Sequence, residues 1–264
     1  MLIVLFSIPG LYFLWHYSPS DTAILTCNNN VKDGFEEGVD CGVTACGKEC
    51  EPEFAPIEVQ LTQIFKVGPS SYDFIAQVYN LNKHFGSSES GYEVSFLDKD
   101  NLEVLKKEDT FYILPGQKKY IILVAIESDK EIKSAKLEVK SAQWIQLESL
   151  EGVDLSINNK IYNILGRGVS SELRAYVFNN SDYDFAKVDI GVVLFNNSGK
   201  ILAVNKTNVE TLIANTDRYF QVTWPFLING NVARSEVEVT TNLFDNFNYI
   251  KRYGSPTEKF QKFY

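Results

Sequence analysis

The sequence predicts an all-β protein: two tandem immunoglobulin-like β-sandwiches that follow an N-terminal membrane-anchor helix and a small disulfide-stapled knot. Three observations lead to this fold class, namely the composition, an internal repeat, and an alternation of apolar and polar residues. The chain has 264 residues, of which 45% are hydrophobic, with 18 Phe, 14 Tyr and a single Met. That usage is typical of strands rather than helices, and it provides enough apolar surface for packed cores.

The second half of the chain repeats the first at a nearly constant offset. "IAQVYNLN" parallels "LRAYVFNN", so that Tyr79-Asn80 precedes Phe178-Asn179 by 99 residues, and "LPGQKKYIILV" parallels "IANTDRYFQVT" with the same offset between Tyr120 and Tyr219. Two further pairs of segments match in the same order. A period this long indicates tandem domains rather than a solenoid of short repeats.

Each copy is predicted to consist of antiparallel strands. Ile57, Val59 and Leu61 alternate with polar residues in the first copy, as Val237 and Val239 do in the second. Such alternation, with turn signals between the runs, predicts about seven strands per copy and therefore an immunoglobulin-like sandwich. The predicted domains are residues 57–148 and 153–252. Neither contains a cysteine, so packing alone is expected to hold each core. We expect Trp144 and Trp224 to be core or sheet-edge anchors.

All four cysteines lie within residues 27–50. A structural zinc site usually has two close pairs of ligands and a redox site has a C-x-x-C pair, and both patterns are absent from this stretch. An even number of cysteines after an export-type segment predicts two disulfides formed in an oxidising compartment. The spacing leaves all three connectivities open. The disulfide residues are Cys27, Cys41, Cys46 and Cys50.

Oxygen-bearing side chains between the cysteines suggest a calcium site. The candidate ligands are Asn29, Asp33, Glu36 and Asp40. Hard oxygen ligands suit calcium, although their spacing does not follow the twelve-residue calcium loop. The alternative is a solvated acidic loop in which Asp and Asn residues form turns. Apart from calcium, the sequence predicts no cofactor.

The N-terminal segment, residues 1–20, is predicted to be a transmembrane anchor. Its apolar run from Leu2 to Trp15 is shorter than the ~20 residues of a typical spanning helix, and aromatic residues suited to a membrane interface follow it. A cleaved signal and a buried strand are the alternatives, because no basic residue precedes the run. Residues 51–56, "EPEFAP", form a predicted stiff spacer. The expected location is the cell membrane, single-pass, with the C-terminal bulk extracytoplasmic; secretion is the alternative.

Two motifs resemble known modules of exported bacterial proteins. Residues 28–50 resemble a short Cys-rich motif with a V-D-C-G-G-like centre, and this chain has Val43 in place of the second glycine. The segments 94–98 and 192–196 resemble the strand-to-turn pattern of the FxLYD family, and the turn at 114–117 matches that family as well. The resemblance implies tandem exported sandwich modules without catalytic activity, in a layout like that of bacterial surface proteins.

The sequence predicts a non-enzymatic cell-surface protein. The net charge of −9 argues against a nucleic-acid partner, since phosphate binding needs a basic face. No catalytic motif is present, and His84 is expected to be an exposed loop residue. The sandwiches are predicted to serve as structural or protein-interaction domains at the envelope. The alternative is a module that binds a glycan or peptide through end loops, among which the predicted loop 82–91 is the longest of its domain.

The tail, residues 253–264, combines aromatic and basic residues in an otherwise acidic chain. The closing strand is expected to continue to about Tyr249, which leaves no core position for Phe260, Phe263 and Tyr264. These side chains are expected to fold back onto the sandwich or to dock on a partner.

Overall fold

The computed structural model of the chain describes residues 27–147, 153–166 and 169–248. The chain divides into two compact units, with the boundary between Phe54 and Ala55, and each unit is described by itself. The predicted anchor (1–20), the junction around 149–152 and the predicted tail (253–264) lie outside the described residues. Among the residues that are described, no helix has the length and apolar character needed to cross a membrane.

The smaller unit is held together by two disulfides, as predicted. Cys27 pairs with Cys46 and Cys41 pairs with Cys50, which resolves the connectivity that the sequence left open. Its described residues, 27–54, contain one short helix, α1 (Val43–Cys46), and two isolated β-bridges. With so little regular structure, the cross-links take the place of a hydrophobic core.

The larger unit is almost entirely β within its described part. Its first six strands form module 1: β1 (Glu58–Lys66), β2 (Ser71–Tyr79), β3 (Phe85–Leu97), β4 (Glu103–Ile113), β5 (Lys118–Glu127) and β6 (Ser134–Gln146). They make two antiparallel three-stranded sheets, in the orders β1-β2-β5 and β4-β3-β6.

The next six strands form module 2 with the same topology. They are β7 (Leu155–Leu165), β8 (Ser170–Asn179), β9 (Phe185–Phe195), β10 (Ile201–Leu212), β11 (Asp217–Trp224) and β12 (Arg234–Thr240). The sheets have the orders β11-β8-β7 and β10-β9-β12. Each strand of module 2 thus corresponds to the strand six places earlier in module 1.

Three expectations about the strands were wrong. Among the described residues each module has six strands rather than about seven, and β3 and β6 are each 13 residues long. The predicted loop 82–91 belongs largely to β3, which begins at Phe85 and carries a bulge between Ser87 and Ser90. The closing strand ends at Thr240, and a 3-10 helix at Asn246–Asn248 follows it instead of further strand.

Each module has its own apolar core between its two sheets. In module 1, Phe74 and Phe96 meet edge to face with ring centroids 5.7 Å apart. In module 2, Trp224 is fully buried and its indole nitrogen donates to the Val204 carbonyl at 2.9 Å. Trp144 packs half-buried against the core of module 1. The prediction that both tryptophans are anchors is therefore confirmed.

The strand-to-turn segments have equivalent geometry in the two modules. At the end of β3, a carboxylate oxygen of Asp98 accepts hydrogen bonds from the backbone N–H groups of residues 100 and 102. At the end of β9, the side-chain oxygen of Asn196 accepts from those of residues 198 and 200. These residues close the turns by the usual chemistry of Asx side chains.

A third apolar cluster joins the modules to each other. It combines Ile75 and Ile122, on the outer face of β1-β2-β5, with Val193, Ile201 and other residues on the outer face of β10-β9-β12. The two modules therefore stack face to face, and the larger unit has four sheet layers. The joined faces belong to non-equivalent sheets of the two modules.

Comparison of equivalent strand pairs shows why only these two faces are joined. Val193 lies opposite Val204 on the module 2 face, whereas the equivalent pair in module 1 is Ser95 opposite Lys106. Likewise Ile75 lies opposite Ile122 in module 1. The equivalent pair in module 2 is Arg174 opposite Gln221. The two joined faces are thus apolar at these positions, and the two outermost faces are polar.

Candidate functional site

A cleft between the two modules of the larger unit brings charged and hydroxyl-bearing side chains together. The cleft has a volume of about 340 Å³ and lies between β4 and β5 of module 1 and β9, β10 and β12 of module 2. Three lysines and three carboxylates line it together with tyrosines and threonines: Lys119, Lys187, Lys206, Asp109, Asp189 and Glu238.

Tyr112 connects the two modules at the centre of the cleft. It lies near the end of β4, just before the turn at 114–117 that leads into β5. Its hydroxyl donates to Asp189 Oδ2 at 3.1 Å and lies 2.9 Å from Thr240 Oγ1. Burial, with the nearby Asp189 charge, raises the pKa of Tyr112 above its ordinary value, so the phenol keeps its proton.

Lys119, on the other side of the same turn, is the most deeply buried cation of the cleft, with only 8% of its surface exposed. Its Nζ lies 3.4 Å from the centroid of the Tyr112 ring and donates one long hydrogen bond, 3.4 Å, to Thr240 Oγ1. Within the described part of the chain, no carboxylate is close enough to form an ion pair with it. Burial lowers the pKa of Lys119, and the charges of Glu238 and Asp189 offset part of that effect.

Glu238 is the half-buried acidic counterpart of Lys119. Both of its carboxylate oxygens accept from the backbone N–H of Tyr120, at 3.2 and 3.1 Å. Burial raises the pKa of Glu238, while Lys119 and the Tyr120 hydrogen bond oppose that shift. Desolvation therefore outweighs pairing for both groups. A third carboxylate, Asp189, is already paired with Lys187 at 3.1 Å.

This arrangement can hold the modules in register and can present a buried ammonium to a small molecule. Its lining residues include neither a histidine nor a cysteine, and the hydroxyls of Tyr112 and Tyr120 donate to Asp189 and Glu236. The described His84, the histidine considered in the sequence, is exposed before β3, as expected, and does not line the cleft.

The four predicted calcium ligands come together in the smaller unit, linked by hydrogen bonds. Both carboxylate oxygens of Asp40 accept from the backbone N–H groups of Asn29 and Asn30, each at 2.8 Å. Glu36 Oε2 accepts from the backbone N–H groups of Asp33 and Asp40. The side-chain amide of Asn29 donates to Asp33 Oδ2 at 2.9 Å. These oxygens stabilise turns, as in the alternative reading, and calcium binding stays a prediction.

One cluster of potential metal-ligating atoms occurs among the described residues, formed by Cys27, Glu36 and Cys46. The two sulfur atoms are bonded to each other in a disulfide, so they cannot act as thiolate ligands. The cluster therefore adds no metal site to the predicted one.

Sequence reasoning missed the cleft, although it found the segments that contain it. Lys119 and Tyr120 lie in the repeated segment at 114–124, and Glu238 is one of the polar residues that alternate with Val237 and Val239. No local pattern distinguishes Glu238 from Glu138, its equivalent in module 1, which is well exposed. The difference arises only from the stacking of the modules.

Comparison with known proteins gives no family. No protein-family model matches the chain, and no sequence of a curated protein matches it either. Among solved structures, red sea bream transglutaminase is similar over 75% of this chain, with 11% identity and a TM-score of 0.21. The aligned part is 30% of the transglutaminase chain, so this chain spans less than a third of that protein. A likeness of that size carries no argument about function.

Proposed function

We propose that this chain is a non-enzymatic, membrane-anchored cell-surface protein whose two immunoglobulin-like sandwiches act as structural or protein-interaction domains at the envelope. One observation carries the proposal: the apolar cluster between the modules, which makes the two sandwiches a single four-layered body. A linker-joined pair without such a contact would be free to change its interdomain angle. A stacked pair holds its outer surfaces at a fixed separation, which suits a spacer or a docking platform.

The disulfides of the smaller unit support an extracytoplasmic location, since such bonds persist in oxidising compartments. The anchor at 1–20, the FxLYD-like identity of the modules and the bacterial origin come from the sequence and belong to the same proposal. The domain limits 57–148 and 153–252 do so as well.

Two measurements test this function. For location, the full chain expressed in a bacterial host should sediment with membranes and be digested by protease added outside the inner membrane. Recovery of the chain in the cytosol with reduced cysteines would refute the proposal.

For rigidity, spin labels should be attached to a keto amino acid at Lys99 and Asp217, so that the native disulfides stay intact. Double electron–electron resonance should give one narrow distance distribution. The variant Val193→Lys, which places a charge in the apolar cluster, should broaden it. A broad distribution in the unsubstituted protein would contradict the role of a rigid spacer.

A second candidate function is an extracytoplasmic ligand-binding module, and the cleft between the modules favours it. Its volume of about 340 Å³ falls at the lower end of the range typical of small-molecule pockets. This candidate function places the ligand in the cleft and not in the end loops, because the predicted loop 82–91 is largely strand.

A further inference from the structure

We infer that the cleft between the modules binds a small hydroxylated carboxylate, of the size of a sugar acid, with the Lys119 ammonium as its anion contact. The inference deepens the second candidate function and rests on it. It is independent of the structural role, which is tested separately by the location and distance measurements above.

The first argument is the incomplete coordination of Lys119. An ammonium group has three N–H donors. Among the described residues, Lys119 contacts Thr240 through a single long hydrogen bond and the face of the Tyr112 ring. A cation with 92% of its surface buried normally has a hydrogen-bonded anionic partner. Lys119 lines the cleft, so an anion entering the cleft can complete its coordination.

The second argument is that the neighbouring carboxylates are already engaged. Asp189 accepts from Tyr112 and pairs with Lys187. Glu238 accepts the Tyr120 N–H with both oxygens. The cleft is therefore balanced in charge, with three lysines and three carboxylates, in a protein whose net charge is −9.

The charge of the ligand is inferred from Lys119. One under-coordinated ammonium matches a single negative charge, and a dianion such as phosphate would be repelled about twice as strongly as a monoanion by Asp189 and Glu238. A monocarboxylate is the monoanion that we propose.

The remaining lining indicates a hydroxylated molecule. Thr110, Thr207 and Thr240 present hydroxyl groups, and Tyr92, Tyr112 and Tyr120 provide aromatic surface. Threonine and tyrosine hydroxyls are among the polar groups that orient ligands in small-molecule sites. A volume of about 340 Å³ accommodates a single sugar-sized molecule rather than a long chain.

Glucuronate is a suitable probe, with glucose as a neutral control of the same shape. Because a buried ammonium exchanges its protons slowly, the Lys119 ¹⁵Nζ signal can be followed by NMR and assigned through bonds from the side-chain carbons of Lys119 in the unsubstituted protein. We expect glucuronate to shift this signal saturably and glucose to leave it unchanged. Calorimetry should show affinity at least about tenfold weaker in Lys119→Met, the cost of one charge-assisted hydrogen bond.

Lys99→Met is the matched control, because Lys99 lies in the exposed turn after β3, where it pairs with Asp100, and does not line the cleft. It should bind glucuronate like the unsubstituted protein. If Lys119→Met is misfolded by circular dichroism, the NMR titration of the unsubstituted protein decides alone. An equal response to glucose, full binding by a folded Lys119→Met, or no saturable shift would each overturn the inference.

Discussion

Asn80 and Asn179 occupy the same place in the two modules, and each is completely buried. The amide of Asn80 donates to the carbonyls of Phe85 and Leu114, while its oxygen accepts from the backbone N–H of Asn82. Asn179 makes the equivalent bonds to residues 183, 212 and 181. One side chain thus ties together three separate segments at one end of each sandwich.

We expect Asn80→Asp to destabilise the protein by about 3 kcal/mol or more, because a buried carboxylate would face two carbonyl oxygens that have lost their donor. Urea unfolding at neutral pH measures the change. Asn197→Asp, at an exposed turn position, is the control of equal charge and should stay within about 0.5 kcal/mol of the original. A similar small effect at position 80 would show that the hydrogen bonds of the Asn80 amide contribute little to stability.

Glu238 gives the protein a specific dependence of stability on pH. Burial raises its pKa above the ordinary 4.5, so the folded state holds this proton more tightly than the unfolded chain. The stability contributed by this group is fully present below pH 4.5 and is lost as the pH rises through the raised pKa. The pKa of Lys119 is lowered, so this group changes the stability of the protein with pH in the alkaline range instead.

We therefore expect Glu238→Gln to gain stability relative to the unsubstituted protein as the pH rises from 4.5 towards neutrality, by on the order of 2 kcal/mol. Melting temperatures measured across that range test the expectation. Glu138→Gln, at the exposed equivalent position in module 1, should leave the pH profile unchanged. Parallel profiles for Glu238→Gln and the unsubstituted protein would show that the carboxylate ionises normally.

At the scale of elements, the sequence predicted what depends on local periodicity and turn chemistry. The repeat, the all-β class and the turn after Leu97 were all readable, because alternation and Asx turns are encoded by neighbouring residues. The segment 82–91 was not. Its two glycines and its serines indicate a loop, yet β4 and β6 pair with it on both sides, and a bulge accommodates the change of register. Tertiary pairing overrode local propensity there.

The pairing of the cysteines leads to a prediction about the smaller unit. The double variant Cys27→Ser/Cys46→Ser removes one complete disulfide and should contain no free thiol, because Cys41 and Cys50 remain paired. The double variant Cys27→Ser/Cys41→Ser removes one partner from each bond and should show two titratable thiols, from Cys46 and Cys50. Thiol titration of the denatured, unreduced proteins distinguishes them. The opposite pattern would mean a different connectivity.

At the scale of the whole molecule, the candidate site could not have been predicted, because it exists only where the modules meet. Lys119 and Tyr112 come from module 1, while Asp189, Glu238 and Thr240 come from module 2, more than 60 residues away in sequence. Only the face-to-face packing of two non-equivalent sheets brings them together. The calcium ligands, by contrast, were found in one short segment and do lie together.

The stack predicts that the modules unfold as one. We expect a single calorimetric transition for the unsubstituted protein and a split or broadened one for Val193→Lys, with a loss of about 3 kcal/mol from burying a charge in the apolar cluster. Ser95→Lys is the matched control, because Ser95 is the equivalent position on the outermost sheet, beside Glu103. It should retain the single transition. Two independent transitions before any substitution would contradict the coupling.

The use of different faces by the two copies has a consequence for how a duplicated sequence can evolve. Gene conversion tends to make tandem copies identical, yet here homogenisation would be harmful in either direction. Copying Glu93 and Lys106 into module 2 would put charges at Gly191 and Val204, where the Cβ of any residue at 191 would already lie 3.3 Å from Ile122 Cδ1. The reverse copy would expose valine on an outer surface. Selection should therefore keep the halves divergent at these positions while it preserves the shared cores.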